Sequence, residues 1–103
     1  MKCIYISGAI TGISNWTEHF QKGEQYLLEK YKDDDLIIRN PLHFPKLECK
    51  DPDEEWLAYM KMSIHQLMEC DTIYMLKGWE DSKGAKIEHH IAQDLNYNIM
   101  YEE

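Results

Sequence analysis

Asp71-Thr72-Ile73-Tyr74-Met75-Leu76 runs straight into Lys77-Gly78-Trp79-Glu80-Asp81-Ser82-Lys83-Gly84-Ala85-Lys86-Ile87-Glu88. The first stretch has the β-rich, apolar composition of a buried strand. A helix that starts at Asp81 or Ser82 then sets Gly84, Glu88, Ile91 and Leu95 on one stripe, with Ala85 and Ala92 beside them. Glu88 therefore faces inward. A carboxylate facing a core must be paired, neutralised by a raised pKa, or turned into an open cleft, and the last two are how sites are made. The helix macrodipole favours an acid here by at most about 1 kcal/mol, too little to offset burying an unpaired carboxylate.

The rest of the chain repeats the alternation. Lys2 to Ser7 reads as a buried strand stopped by Gly8. Asn15 and Glu18 have the spacing of a capping box, and Trp16, Phe20, Gly23, Leu27 and Tyr31 recur at helical steps up to the polar run Lys32-Asp33-Asp34-Asp35. Leu36 to Arg39 is a second strand, closed by Asn40-Pro41. Residues 40–53 hold all three prolines and read as one ordered loop. Asp51 then caps a helix with Pro52 at its first position and an apolar seam of Trp56, Met60, Ile64 and Leu67, ending near Glu69. Asp71 to Leu76 is the third strand, Ser82 to Asn96 the third helix, and Asn98 to Tyr101 a short last strand.

This order predicts a single α/β domain over residues 1–103: a three-layer, Rossmann- or flavodoxin-like parallel sheet of four strands with helical crossovers. Ligands of such sheets bind at the carboxyl ends of the strands, where the strand order reverses.

Composition narrows the partners. Eleven basic residues against nineteen acidic give a net charge of −8, which excludes nonspecific binding to a nucleic acid duplex. Cys3, Cys49 and Cys70 are odd in number, widely spaced and without a CxxC pair, so they read as reduced, apolar fillers in a cytoplasmic protein. No run of eighteen apolar residues occurs and the start lacks a signal peptide, so no membrane partner is expected. His89 and His90 are adjacent on a helix and point about 100° apart, which argues against a shared metal ion. His19, His43 and His65 are scattered, the methionines fit core packing, and neither a metal nor a cofactor is implied. Nothing resembles a catalytic triad.

Two turns at the carboxyl edge carry the remaining signal. Ser7-Gly8-Ala9-Ile10-Thr11-Gly12 is either a plain tight turn or a loop whose backbone N–H groups meet a ligand. It is not GxGxxG, and Arg39 stands where a dinucleotide ribose would want an acid. In the second turn Ser82 or Asp81 can cap the helix, and Gly84 keeps the helix start uncrowded. Trp79 is either a core plug or a surface on which a flat base stacks. Asp71 is either a backbone acceptor at the strand entrance or a second functional acid.

Tyr5-Ile6-Ser7-Gly8-Ala9-Ile10-Thr11-Gly12, Asn40-Pro41, Cys70-Asp71-Thr72-Ile73, and Gly78-Trp79 followed by Ser82-x-Gly84-Ala85-x-x-Glu88 together resemble the nucleoside 2-deoxyribosyltransferase-like superfamily, in particular its short bacterial and phage members. The resemblance covers nearly the whole chain. It implies that Glu88 is a nucleophile attacking C1′ of a nucleoside or nucleotide, with the sugar held as a covalent ester until a second base (transferase) or water (N-glycosidase) takes it. It further implies that Ser82 touches a 5′ phosphate, that Gly8 and Ile10 lie against the nucleoside, and that Tyr5 stands near the sugar and the nucleophile. Ser7, Asn40, Trp79 and Gly84 complete the expected substrate-binding set. Many relatives carry an aspartate that assists the leaving base at the position of Ser63, a residue unable to act as that acid. Asp71 is then the expected second catalytic acid, and a noncatalytic nucleotide-binding module is the alternative. The resemblance also implies a homo-oligomer, whose neighbouring subunit supplies walls that this short chain lacks.

Overall fold

The computed structural model describes residues 2–103. Its elements are β1 (Lys2–Ser7), α1 (Trp16–Lys30), β2 (Leu36–Arg39), α2 (Pro52–Met68), β3 (Thr72–Met75), α3 (Lys83–Asp94) and β4 (Asn98–Tyr101). Single 3-10 turns lie at Pro41–His43 and Trp79–Asp81. The four strands are all parallel in the order β2-β1-β3-β4, with Tyr5 beside Arg39 on one flank and Ile73 on the other. The chain steps from β1 outward to β2, then returns past β1 to β3. That reversal makes the carboxyl ends of β1 and β3 the switch point expected of the α/β layout.

Side-chain alternation along the strands builds a core on each face of the sheet. Ile4 and Ile6 of β1 join Tyr74, Leu76 and the α1 residues Phe20 and Leu27 on one face. Tyr5, Ile73 and Met75 join Leu67 of α2 and Ala85 and Ala92 of α3 on the other. Ser7 is buried in phase with Tyr5, so both hydroxyl-bearing residues of β1 face α3. Cys3 shares that phase, and its Sγ lies 2.7 Å from Sγ of Cys70, so two of the three cysteines meet across the start of the sheet.

Two local expectations are corrected. Asn15 makes no side-chain cap to α1, because its backbone (ψ 26°) is not extended as a capping residue's is. Leu95 leaves the inward stripe and is 51% exposed, since α3 ends at Asp94 and Asn96 turns with φ 59°. The loop over residues 40–53 is ordered at its start by the turn at Pro41, where the Asn40 side chain accepts from the N–H of Leu42. Asp51 and Ser82 do cap their helices, accepting from the N–H groups of Asp53 and Ala85.

Candidate active site

Glu88 lies in the second turn of α3 and is 5% exposed. Two residues of β1, one pleat apart on the same face, reach it from below. The Tyr5 phenol donates to Oε2 at 2.7 Å and the Ser7 hydroxyl donates to Oε1 at 2.8 Å. Each carboxylate oxygen thus receives one neutral donor, and no cation among the described residues pairs with the group. Burial pushes the Glu88 carboxyl up to about 7, while the hydrogen bonds from Tyr5 and Ser7 pull the other way. The Tyr5 phenol is held well above its ordinary value by its own burial and by the neighbouring carboxylate, so it stays a hydrogen-bond donor. Ser63 of α2 is buried with its hydroxyl against the Tyr5 phenol.

Glu88 opens onto a cleft of about 640 Å3 at the carboxyl edge of the sheet. Tyr5, Ser7, Gly8, Ile10, Ser82 and Gly84 line it together with Glu88, so seven of the sequence-predicted site residues converge in one place. Gly8 has a packing duty as well: a Cβ there would stand 3.0 Å from Cβ of Leu76. Gly84 likewise lets α2 approach α3, since its Cβ would meet Sδ of Met60 at 2.9 Å.

The other three predicted residues lie elsewhere. Asp71 is exposed at the amino end of β3, where its N–H donates to the Cys3 carbonyl and its carboxylate accepts from the Thr72 hydroxyl. A parallel strand carries its first residue away from the carboxyl edge by about 3.3 Å per residue, so the length of β3 separates Asp71 from the cleft. Asp71 is therefore no partner of Glu88. Trp79 is the core plug: its ring stacks on His89 at 4.2 Å and lies beside Tyr101, away from the cleft. Asn40 is buried as a structural tie, donating to the Phe20 carbonyl and to Glu24 while it holds the turn at Pro41. The two adjacent histidines part as helix geometry requires, His89 bonding the Tyr101 hydroxyl at 2.8 Å and His90 facing Asp94 at 3.2 Å.

Sequence reasoning missed several walls. Trp16, the first residue of α1, and Trp56, in the second turn of α2, supply flat faces, and Phe44 adds a third aromatic from the proline-rich loop. Lys46 and Glu55 bring the only two charges besides Glu88 among the described residues of the cleft. A usable signal existed. In a parallel α/β chain every helix begins at the carboxyl edge of the sheet, so aromatic and charged residues in the first turns of different helices meet there.

Residues 2–101 match the family described as a domain of unknown function, DUF4406. The chain belongs to that family. The DUF4406 match takes in every strand and helix described above, so the whole cleft is built from the family's domain. No curated protein and no solved structure matches the chain.

Proposed function

We propose that this DUF4406 protein breaks the N-glycosyl bond of a nucleoside or nucleotide, with Glu88 as the nucleophile that carries the sugar. The observation that carries the proposal is a buried, unpaired carboxylate with two hydroxyl donors at the floor of an aromatic cleft. With its pKa near 7, Glu88 is ionised in part at neutral pH and remains basic enough to bond carbon. In the proposed step one oxygen of Glu88 bonds C1′ as the C1′–N bond breaks, and the base leaves with that electron pair and takes a proton from water. Water or a second base then attacks C1′, gives its proton to solvent, and frees the Glu88 carboxylate.

The cleft supports this substrate in two further ways. Trp16 and Trp56 offer faces for a planar base, worth about 1–3 kcal/mol each when a base stacks. A neighbouring depression of about 430 Å3 shares Trp56, Ser82 and Gly84 with the cleft and carries Lys77, Lys83 and His19, with Asp81 the one acid among its described residues. With the N-terminus of α3 opening there, that depression suits a 5′ phosphate.

Incubation with a panel of 2′-deoxynucleosides, ribonucleosides and their 5′ monophosphates tests the proposal. Free base should appear with the wild type and be absent with Glu88→Ala. No base released from any substrate overturns it. The second reading is a nucleotide-binding module without turnover, favoured by Ser63 at the inner wall and by the remoteness of Asp71, which leave no acid among the described residues beside Glu88 to protonate a departing base. It predicts thermal stabilisation by a nucleotide that is recovered intact, about 2.7 kcal/mol at a hundred times Kd.

A further inference from the structure

Glu55, Tyr59 and Ser63 follow one another at four-residue steps along α2, and all three line the cleft. Ser63 is the inner end of this row, at the Tyr5 phenol that bonds Glu88. With a rise of 1.5 Å per residue, Glu55 stands about 12 Å farther out along the helix. It is half-buried, and no ion pair among the described residues includes it. Lys46 lines the same cleft without pairing to it. Glu55 and Glu88 are thus the two carboxylates among the described residues of the cleft, one at the floor and one toward the mouth, and Trp56 and Tyr59 line the same cleft.

We propose that Glu55 determines which base is accepted, by receiving hydrogen bonds from the edge of the base farthest from the sugar, and that it selects guanine. This rests on the reading of Glu88 as the residue at the sugar. The chemistry of the group supports it. An ionised carboxylate is purely an acceptor, with two oxygens side by side. Its match is a base with two adjacent donors on its outer edge, and guanine offers N1–H and its 2-amino group there. Adenine offers its amino group beside an unprotonated N1, which the carboxylate repels, and hypoxanthine lacks the second donor. Such charge-assisted paired bonds give geometric selectivity as well as strength.

The test measures equilibrium binding by titration calorimetry in the Glu88→Gln background, where ligand cannot be consumed, with Glu55 intact or changed to Gln. The probes are the 2′-deoxyribonucleoside 5′ monophosphates of guanine, hypoxanthine and adenine. Losing one hydrogen bond to a charged group should weaken hypoxanthine about tenfold to a hundredfold against guanine. Glu55→Gln should shrink that ratio by weakening guanine, which makes two bonds to the carboxylate, more than hypoxanthine, which makes one, and its unchanged melting temperature would show that the fold is intact. Equal binding of guanine and hypoxanthine, the same ratio in Glu55→Gln, or no binding of any probe overturns the inference. Base release by the unmodified protein separates the two proposals. Release without guanine preference sinks the Glu55 assignment and leaves the nucleophile standing. Guanine-selective binding without release sinks the nucleophile and leaves Glu55 as the reader of the base.

Discussion

Tyr5 and Glu88, eighty-three positions apart, are joined by a phenol-to-carboxylate hydrogen bond of 2.7 Å that ties the middle of β1 to the second turn of α3. The bond favours the ionised form of a carboxylate that burial pushes toward neutrality. Tyr5→Phe keeps the ring in the core and removes the donor. The Glu88 pKa should rise further above 7, and the rising limb of the pH–rate profile for base release should move to higher pH. Rates across pH 5 to 9 for both proteins check this, and an unmoved limb would show that Tyr5 does not tune Glu88.

Glu88 also has a cost to the fold with a definite sign. Its carboxyl titrates near 7 in the folded protein against an ordinary value of 4.5, so the folded state binds the proton more tightly. Stability associated with this group is fully present below about pH 4.5 and is lost as pH rises through about 7. The loss is about 3 kcal/mol, since each tenfold gain in proton affinity on folding is worth about 1.4 kcal/mol. Glu88→Gln should remove that slope. The difference in urea-unfolding free energy, variant minus wild type, should therefore grow in the variant's favour between pH 4.5 and pH 8. A flat difference would mean that Glu88 is solvated.

The same two residues show how much of the site was legible in the chain. Helical spacing put Glu88 on the inward stripe of α3, because that period is a local property of the backbone, whereas the shared face of Tyr5 and Ser7 on β1 was not drawn from the sequence and shows only in the fold. Element order then predicted the parallel sheet with its switch point. Trp79 and Asp71 were misjudged because their roles are set by nonlocal neighbours. His89 and Tyr101 enclose Trp79, and the direction of β3 carries Asp71 to the wrong end of the sheet. Glu55 escaped notice since an acid in the first turns of a helix has an ordinary explanation in the macrodipole. Only the folded cleft gives it a second use.

Trp56 and Trp79 should respond oppositely to truncation. Trp56 faces the cleft with the Lys83 ammonium 4.8 Å from its ring centroid, so Trp56→Ala should weaken nucleotide binding by about 1–3 kcal/mol with little loss of stability. Trp79→Ala empties a packed stack and should cost about 3 kcal/mol of stability, leaving ligand affinity in the surviving folded protein nearly unchanged. Paired thermal melts and binding titrations distinguish the two. The assignments fail if Trp79→Ala is the variant that loses ligand.

The three thiols should differ in reactivity. Cys70 is buried, and its burial and the neighbouring Cys3 thiol push its pKa well up, which keeps it from forming the reactive thiolate. Cys49 lies in the loop before α2, away from that pair. An aromatic disulfide reagent at pH 8 should label Cys49 first and Cys70 last, and all three at one rate in denaturant. Mass mapping of the first labelled peptide reads the order, and early labelling of Cys70 would contradict the packing.

Ser63 offers the sharpest test of what the site lacks. It is buried against Tyr5 on the cleft wall, where a hydroxyl cannot serve as a general acid. Ser63→Asp would put a second buried carboxyl on the cleft wall, separated from Glu88 by the Tyr5 phenol, and burial together with the nearby like charge should make it keep its proton to higher pH. That proton is available to the leaving base. General-acid assistance contributes about 10²–10⁴-fold where departure of the base limits the rate. Base release by Ser63→Asp should therefore exceed wild type and follow a bell-shaped pH profile, whereas Ser63→Asn, equal in size and without the proton, should not accelerate. If both variants release base equally fast, departure of the base is not the slow step, and an acid at residue 63 adds nothing to the reaction proposed for Glu88.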